Sequence, residues 1–170
     1  MKNNFIHQDL SILPCTEITC DIYDHKEESI LWVEIKGKCS HGSQGEHYGK
    51  FLYQKIGLAL LTFQPLAVLI DMREMEYNYG DRIINLFQIF QDVVIYPEEG
   101  FITSFVLSDK NKSGLSSLIQ IDFEHAESDF HLDSIPKYIS PTLRCHIGAS
   151  SVKSLIFAVQ FCRIEIEVNG

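Results

Sequence analysis

The chain has no apolar run long enough to cross a membrane, since its longest apolar stretches are short and interrupted by charges or glutamines. Its start, MKNNFIHQDLSILPC, carries one lysine and no apolar core of signal-peptide length. Both absences predict a cytoplasmic chain. Basic residues are scarce as well: 14 Lys+Arg stand against 23 Asp+Glu, a formal net charge of −9. Binding to a phosphate backbone draws most of its affinity from clustered positive charge, so nucleic acid is set aside as a partner. An acidic surface suits solubility, or a partner that is itself basic. The five cysteines (Cys15, Cys20, Cys39, Cys145, Cys162) are odd in number, scattered and without a CxxC. They are expected to be reduced and packed as small hydrophobes.

Motifs that carry chemistry are missing too. GKCSHGSQGEHYGK bears glycines but lacks the Gly-Lys-Ser/Thr ending of a phosphate-binding loop. Ser113-Gly114-Leu115-Ser116 lies at a strand-to-helix turn, yet the G-x-S-x-G pattern of a nucleophile elbow is absent. Cys39, His41 and His47, with Glu46 adjacent, do not have zinc-finger spacing and lack an evident fourth ligand. In HAESDFH, His125, Glu127, Asp129 and His131 would share one face of an extended chain, but the segment reads as acidic surface. Cys145 and His146, as neighbours in a strand, would face opposite ways. No catalytic residue, metal ligand or cofactor site is therefore assigned.

What is present is a globular composition, 45% hydrophobic and 11% aromatic, over 170 residues. That length suits one domain with a sizeable core. After a loosely ordered start over residues 1–12, CTEITCDIY and SILWVEIKG read as strands joined by the polar turn DHKEES. They predict an antiparallel hairpin. EHYGKFLYQKIGLALLTFQP repeats apolar residues at three and four (Tyr48, Leu52, Ile56, Leu60, Phe63), an amphipathic helix ended by Pro65. LAVLIDM (66–72) is a continuous apolar run of strand length, as expected for a strand covered on both faces. A helix over about 81–94 and the strand FITSFVLSD (101–109) follow, so LAVLIDM and FITSFVLSD are expected to be adjacent and parallel. A short helix opens near residue 113, residues 121–142 are irregular and acidic, and 151–167 return to helical spacing with an ambiguous last third. The predicted fold is a single-domain α/β sandwich. Its mixed, mostly parallel sheet carries an N-terminal antiparallel hairpin, in the order β-β-α-β-α-β-α-α.

That order, over residues 15–120, resembles the STAS domain family of anti-sigma-factor antagonists and related regulatory modules. In that family a loop after a central buried strand opens onto a helix and carries a phosphorylatable Ser or Thr followed by Gly. Here the loop is MEYNYGD: Gly80 fits, while Asn78 and Tyr79 stand where the hydroxyl belongs. The resemblance implies a regulatory module without a serine phosphoswitch. LAVLIDMREMEYNYGD also resembles the strand and loop of the crotonase superfamily, with Gly80 near the oxyanion-hole glycine and Asp81 near the acid that follows it. That likeness would imply an enzyme acting near Asp71–Asp81. No second glycine-rich turn follows FITSFVLSD to supply the other N–H donor.

Glu74, Glu76, Tyr77, Tyr79 and Asp81 crowd acidic and aromatic side chains beyond a buried strand, where open α/β sheets place their sites. Tyrosines are favoured interface anchors, and carboxylates steer a basic partner. The alternative is that the two rings cover the sheet end while Asp81 caps the helix. The leading expectation is a non-catalytic protein-binding module with the character of a bacterial toxin-neutralising immunity protein, its partner a basic protein. A STAS-like regulatory module and a small enzyme are the alternatives.

Overall fold

The computed structural model describes residues 6–8, 15–25, 27–39, 45–80, 83–86, 89, 101–119 and 143–148. At positions 8, 45, 46, 101, 102, 119 and 143–148 only the backbone is described. Among the described residues, six strands form one sheet in chain order: β1 (Ile6–Gln8), β2 (Ile18–His25), β3 (Ile30–Lys38), β4 (Ala67–Glu76), β5 (Phe101–Val106) and β6 (Leu143–Gly148). β1 pairs antiparallel with β2, and β2 antiparallel with β3. β3, β4, β5 and β6 run parallel to one another. The hairpin and the parallel pair of LAVLIDM with FITSFVL are thus both present. Two strands come from segments with no strand expected: β1 from the start taken as loose, and β6 from just beyond the irregular segment.

Helix α1 (Gly45–Phe63) joins β3 to β4, residues 83–86 are helical between β4 and β5, and α2 (Lys112–Ile119) follows β5. Leu31, Val33 and Ile35 of β3 share a core with Ile18, Cys20 and Ile22 of β2 and with Val68 and Ile70 of β4. Leu52, Ile56 and Ala59 from α1 close over it, joined by Ile83, Leu86, Ile89 and Leu115. All the described helical pieces therefore lie on one face of the sheet. The other face is apolar in its middle, where Trp32 is paired with Leu69 and Leu69 with Ser104, all three buried. Burial on both faces explains why AVLI (67–70) reads as a continuous apolar run rather than an alternation. Each fully buried Leu or Ile contributes about 1.5–3 kcal/mol by leaving water.

The ends of α1 follow from local chemistry. Gln64 has a φ of 45°, and its N–H donates to the Leu60 carbonyl at 2.9 Å, a left-handed cap of the kind usually made by glycine. Pro65 follows and stops any continuation. Gly37, at a φ of 113°, is required for a different reason. A Cβ there would sit 2.0 Å from the Glu17 carbonyl oxygen, so only glycine lets the β2 entrance close on the end of β3.

Candidate functional site

The strand β4 contains a one-residue bulge, and that bulge builds the site. Glu34 pairs with Asp71, but Lys36 pairs with Glu74, so β4 takes three steps where β3 takes two. Before the bulge, Ala67, Leu69 and Asp71 lie on the face of Trp32 and Glu34. After it, Glu74 and Glu76 stand opposite Lys36 and Lys38 on that same face. Met72 and Met75, three apart, both remain in the helix-side core, as does Tyr77. Strict alternation would have buried one of these pairs on the wrong side.

The extra residue lets β4 run to Glu76, beyond the strand end expected at Met72, so Met75 and Glu76 belong to the strand rather than to a loop. Past Asp71 its free edge has no strand partner, because the β4–β5 pairing ends at Asp71 and Val106. The turn after β5 takes over. Asn111, 1% exposed, donates from Nδ2 to the carbonyls of Met72 and Met75, the latter at 2.9 Å. Its Oδ1 accepts from the Ser108 N–H at 3.0 Å. Ser108 Oγ donates to the Arg73 carbonyl at 2.8 Å, and the Tyr77 N–H donates to the Lys110 carbonyl at 3.0 Å. Asn111 also opens α2, its carbonyl accepting from the Leu115 N–H at 3.0 Å. An asparagine there ordinarily turns its side chain to the helix's own N–H groups. Here that side chain serves β4.

Around this edge lies a cleft of about 490 Å³ lined by Glu34, Asp71, Arg73, Glu74, Ser108, Asp109 and Lys110. It opens at the C-terminal ends of parallel strands, where such sheets place their sites. Its charges are organised as pairs. Arg73 grips Asp71 through two parallel bonds, Nε to Oδ1 at 2.9 Å and Nη2 to Oδ2 at 2.7 Å. The Asp71 side chain is 3% exposed and that of Arg73 22%. The bond to Asp71 holds the guanidinium pKa above its ordinary value. Lys36 contacts Glu34 at 2.9 Å and Asp21 at 3.8 Å, and its pKa is raised first by the Glu34 hydrogen bond. Tyr23 donates its hydroxyl to Glu34 at 3.3 Å. Lys110 meets Glu74 at 2.9 Å and pulls that carboxyl below its ordinary range. Lys38 meets Glu76 at 2.6 Å.

The expected rim residues separate into three kinds. Glu74 and Glu76 are exposed at the side chain, by 63% and 43%, and both are ion-paired. Tyr77 is buried at 3%, and its hydroxyl donates to the Gly80 carbonyl, so this ring covers the core. Tyr79 is 60% exposed. Asp81 lies outside the described residues. The loop between Tyr77 and Gly80 is held firmly: besides the Tyr77 bonds, Gly114 of α2 abuts it so closely that a Cβ would stand 2.5 Å from the Asn78 carbonyl oxygen. Helix and loop are in backbone contact. Tyr79 is presented from that anchored loop.

The other candidates are described only in part. Cys39 is buried just past β3, His47 is exposed on α1, and His41 lies outside the described residues, as do residues 125–131. Among the described residues, no group of three or more His, Cys, Asp or Glu is placed to hold a metal ion. Ser113 and Ser116 lie within α2 rather than at an elbow, and the side chains of Cys145 and His146 are not described. No described helix is long and apolar enough to cross a membrane. Arg73, Ser108, Lys110 and Asn111 were missed in the sequence. The spacing of Met72 and Met75 within one strand was the available sign, because two core residues three apart require a bulge between them. Comparison with protein-family models, curated proteins and solved structures finds no match to this chain.

Proposed function

We propose that this chain is a non-catalytic protein-binding module whose contact surface is the C-terminal end of its parallel strands, with Tyr79 as the aromatic anchor. The observation that carries the reading is Tyr79 itself, 60% exposed on a loop tied down by the Tyr77 ring, the Lys110 carbonyl and Gly114. An exposed aromatic on a preorganised loop gives contact area with little ordering entropy, which is how binding hot spots are built. Glu74 and Asp109 in the cleft and Glu76 at the end of β4 add negative charge suited to steering a basic partner. Asp71, the group an acid–base mechanism would need, is engaged twice by Arg73 and accepts the Arg73 N–H at 3.2 Å as well. A toxin-neutralising immunity protein is the concrete form we favour, on the net charge of −9 and the exposed Tyr79.

A STAS-like regulatory module is the second reading. It is favoured by the sheet order following the chain order, with described helical pieces on one face.

The test is affinity capture with the full chain as bait, followed by titration of the recovered partner against wild type and Tyr79→Ala. Tyr79→Ala should weaken binding by about 1–3 kcal/mol, roughly 5- to 150-fold, with unchanged thermal unfolding. Charge reversal at Glu76 should mainly slow association and flatten its salt dependence. Full affinity in the tyrosine variant would remove this surface from consideration.

A further inference from the structure

The open end of the β2–β3 hairpin brings two thiols together. Cys15 lies just before β2 and Cys39 just after β3. Ile18 pairs with Gly37, and the Lys38 N–H donates to the Glu17 carbonyl at 3.1 Å, so the ladder continues past the last paired strand residues. Carrying that register one step further sets Thr16 across from Cys39, with Cys15 as its neighbour. Both cysteines turn to the helix side: Cys39 belongs to the buried core, and Cys15, partly exposed, packs against it. The Cys15 sulfur lies within electrostatic reach of Cys39 and adds to the effect of burial, which pushes the Cys39 thiol up to about 12. Directly opposed residues on paired strands stand about 4.5–5.5 Å apart at Cα, inside the roughly 4.4–6.8 Å that a disulfide spans, and Cys15 is one residue beyond the position opposed to Cys39.

We propose that Cys15 and Cys39 are an oxidisable pair that closes to an intramolecular disulfide, stapling the entrance of β2 to the exit of β3. The co-reactant is a low-molecular-weight disulfide. Cys15 is the entry point, because it is the partly exposed member. Its thiolate attacks one sulfur of the small disulfide and expels a thiolate, which takes up a proton. Cys39 then gives its proton to solvent, and its thiolate attacks the Cys15 sulfur and releases the second small thiol. Two protein thiols are oxidised and one small disulfide is reduced to two thiols. Burial of Cys39 makes closure the slow step, faster by about tenfold per pH unit while the thiol remains mostly protonated. Cys20, also buried and pushed up to about 12, pairs with Ile35 inside the ladder and is the internal control.

The experiment treats the full chain with oxidised glutathione and maps its peptides by mass spectrometry without reduction. The expected product is lighter by two hydrogens and joins the peptide of residues 3–26 to that of residues 39–50. Cys15→Ser should abolish the link, and Cys20→Ala, in the same peptide as Cys15, should leave it intact. A persistent glutathione adduct on Cys15 with Cys39 unreacted overturns the proposal. So does a link that survives Cys15→Ser or is lost in Cys20→Ala while circular dichroism shows a folded variant.

Discussion

The two ends of the parallel strands are built by different means. At the end where β3 and β4 begin, closure is backbone to backbone: the N–H groups of Leu66 and Ala67 both donate to the Ser29 carbonyl, and Gln64 closes on Leu60. Leu58, Leu61 and Leu66 there are exposed by 41%, 54% and 49%. At the opposite end, backbone bonds such as that from the Tyr77 N–H to the Lys110 carbonyl are joined by particular side chains: Asn111 and Ser108 on three β4 carbonyls, and Arg73 on Asp71. Backbone closure tolerates almost any residue, whereas side-chain closure tolerates few. A chain that commits an asparagine, a serine and a buried ion pair to one sheet end holds that end in a fixed shape. This is where a fixed shape would serve recognition.

The contrast can be broken in three ways. The largest effect should come from Arg73→Leu, which strands the Asp71 carboxylate at 3% exposure; about 3 kcal/mol should be lost in urea unfolding. Adding Asp71→Asn should recover part of that loss, since the unpaired charge is removed. Equal stability of Arg73→Leu and wild type would show that Asp71 finds water. Next, Asn111→Ala leaves the Met72 and Met75 carbonyls without their donor and should cost about 2–3 kcal/mol. Amide exchange in residues 72–77 should rise more than in α1, and a uniform rise would mean that Asn111 acts on the whole fold instead. The smallest change has the opposite sign. Gln64→Gly at the other end relieves a φ of 45° and should stabilise by up to about 1 kcal/mol, read as a rise in Tm.

How far the sequence reveals this molecule follows the same division. The hairpin, α1 and the β4–β5 parallel pair were legible because each rests on a run long enough to show its period. β1 was not, since IHQ is three residues and shows no pattern, with Ile6 54% exposed at the edge. β6 was hidden because LRCHIG places Arg and His among its apolar residues and follows two prolines in a weakly patterned stretch. Within the site, Glu74, Glu76, Tyr77 and Tyr79 were visible as a cluster, yet their roles were not. Tyr77 and Tyr79 differ by two positions and would share a face of a strand, but the chain leaves the strand at Glu76 and turns one ring in and the other out. Asn111 was invisible for a plainer reason: its side chain's partners lie 36 and 39 residues away and are written in the fold alone.

The bulge in β4 also has a genealogical consequence. Between Asp71 and Glu74 this strand holds one residue more than its partner between Glu34 and Lys36. A related chain that had lost that residue would keep its alternation in step from end to end. It would keep apolar residues at the positions of Met75 and Tyr77 and polar ones at those of Glu74 and Glu76, lacking only the bulge residue. Any pairing of this sequence with a distant cousin should therefore open its gap at Met72 or Arg73. Set anywhere later, the gap would match buried residues to exposed ones, and the kinship would be lost in the mismatch.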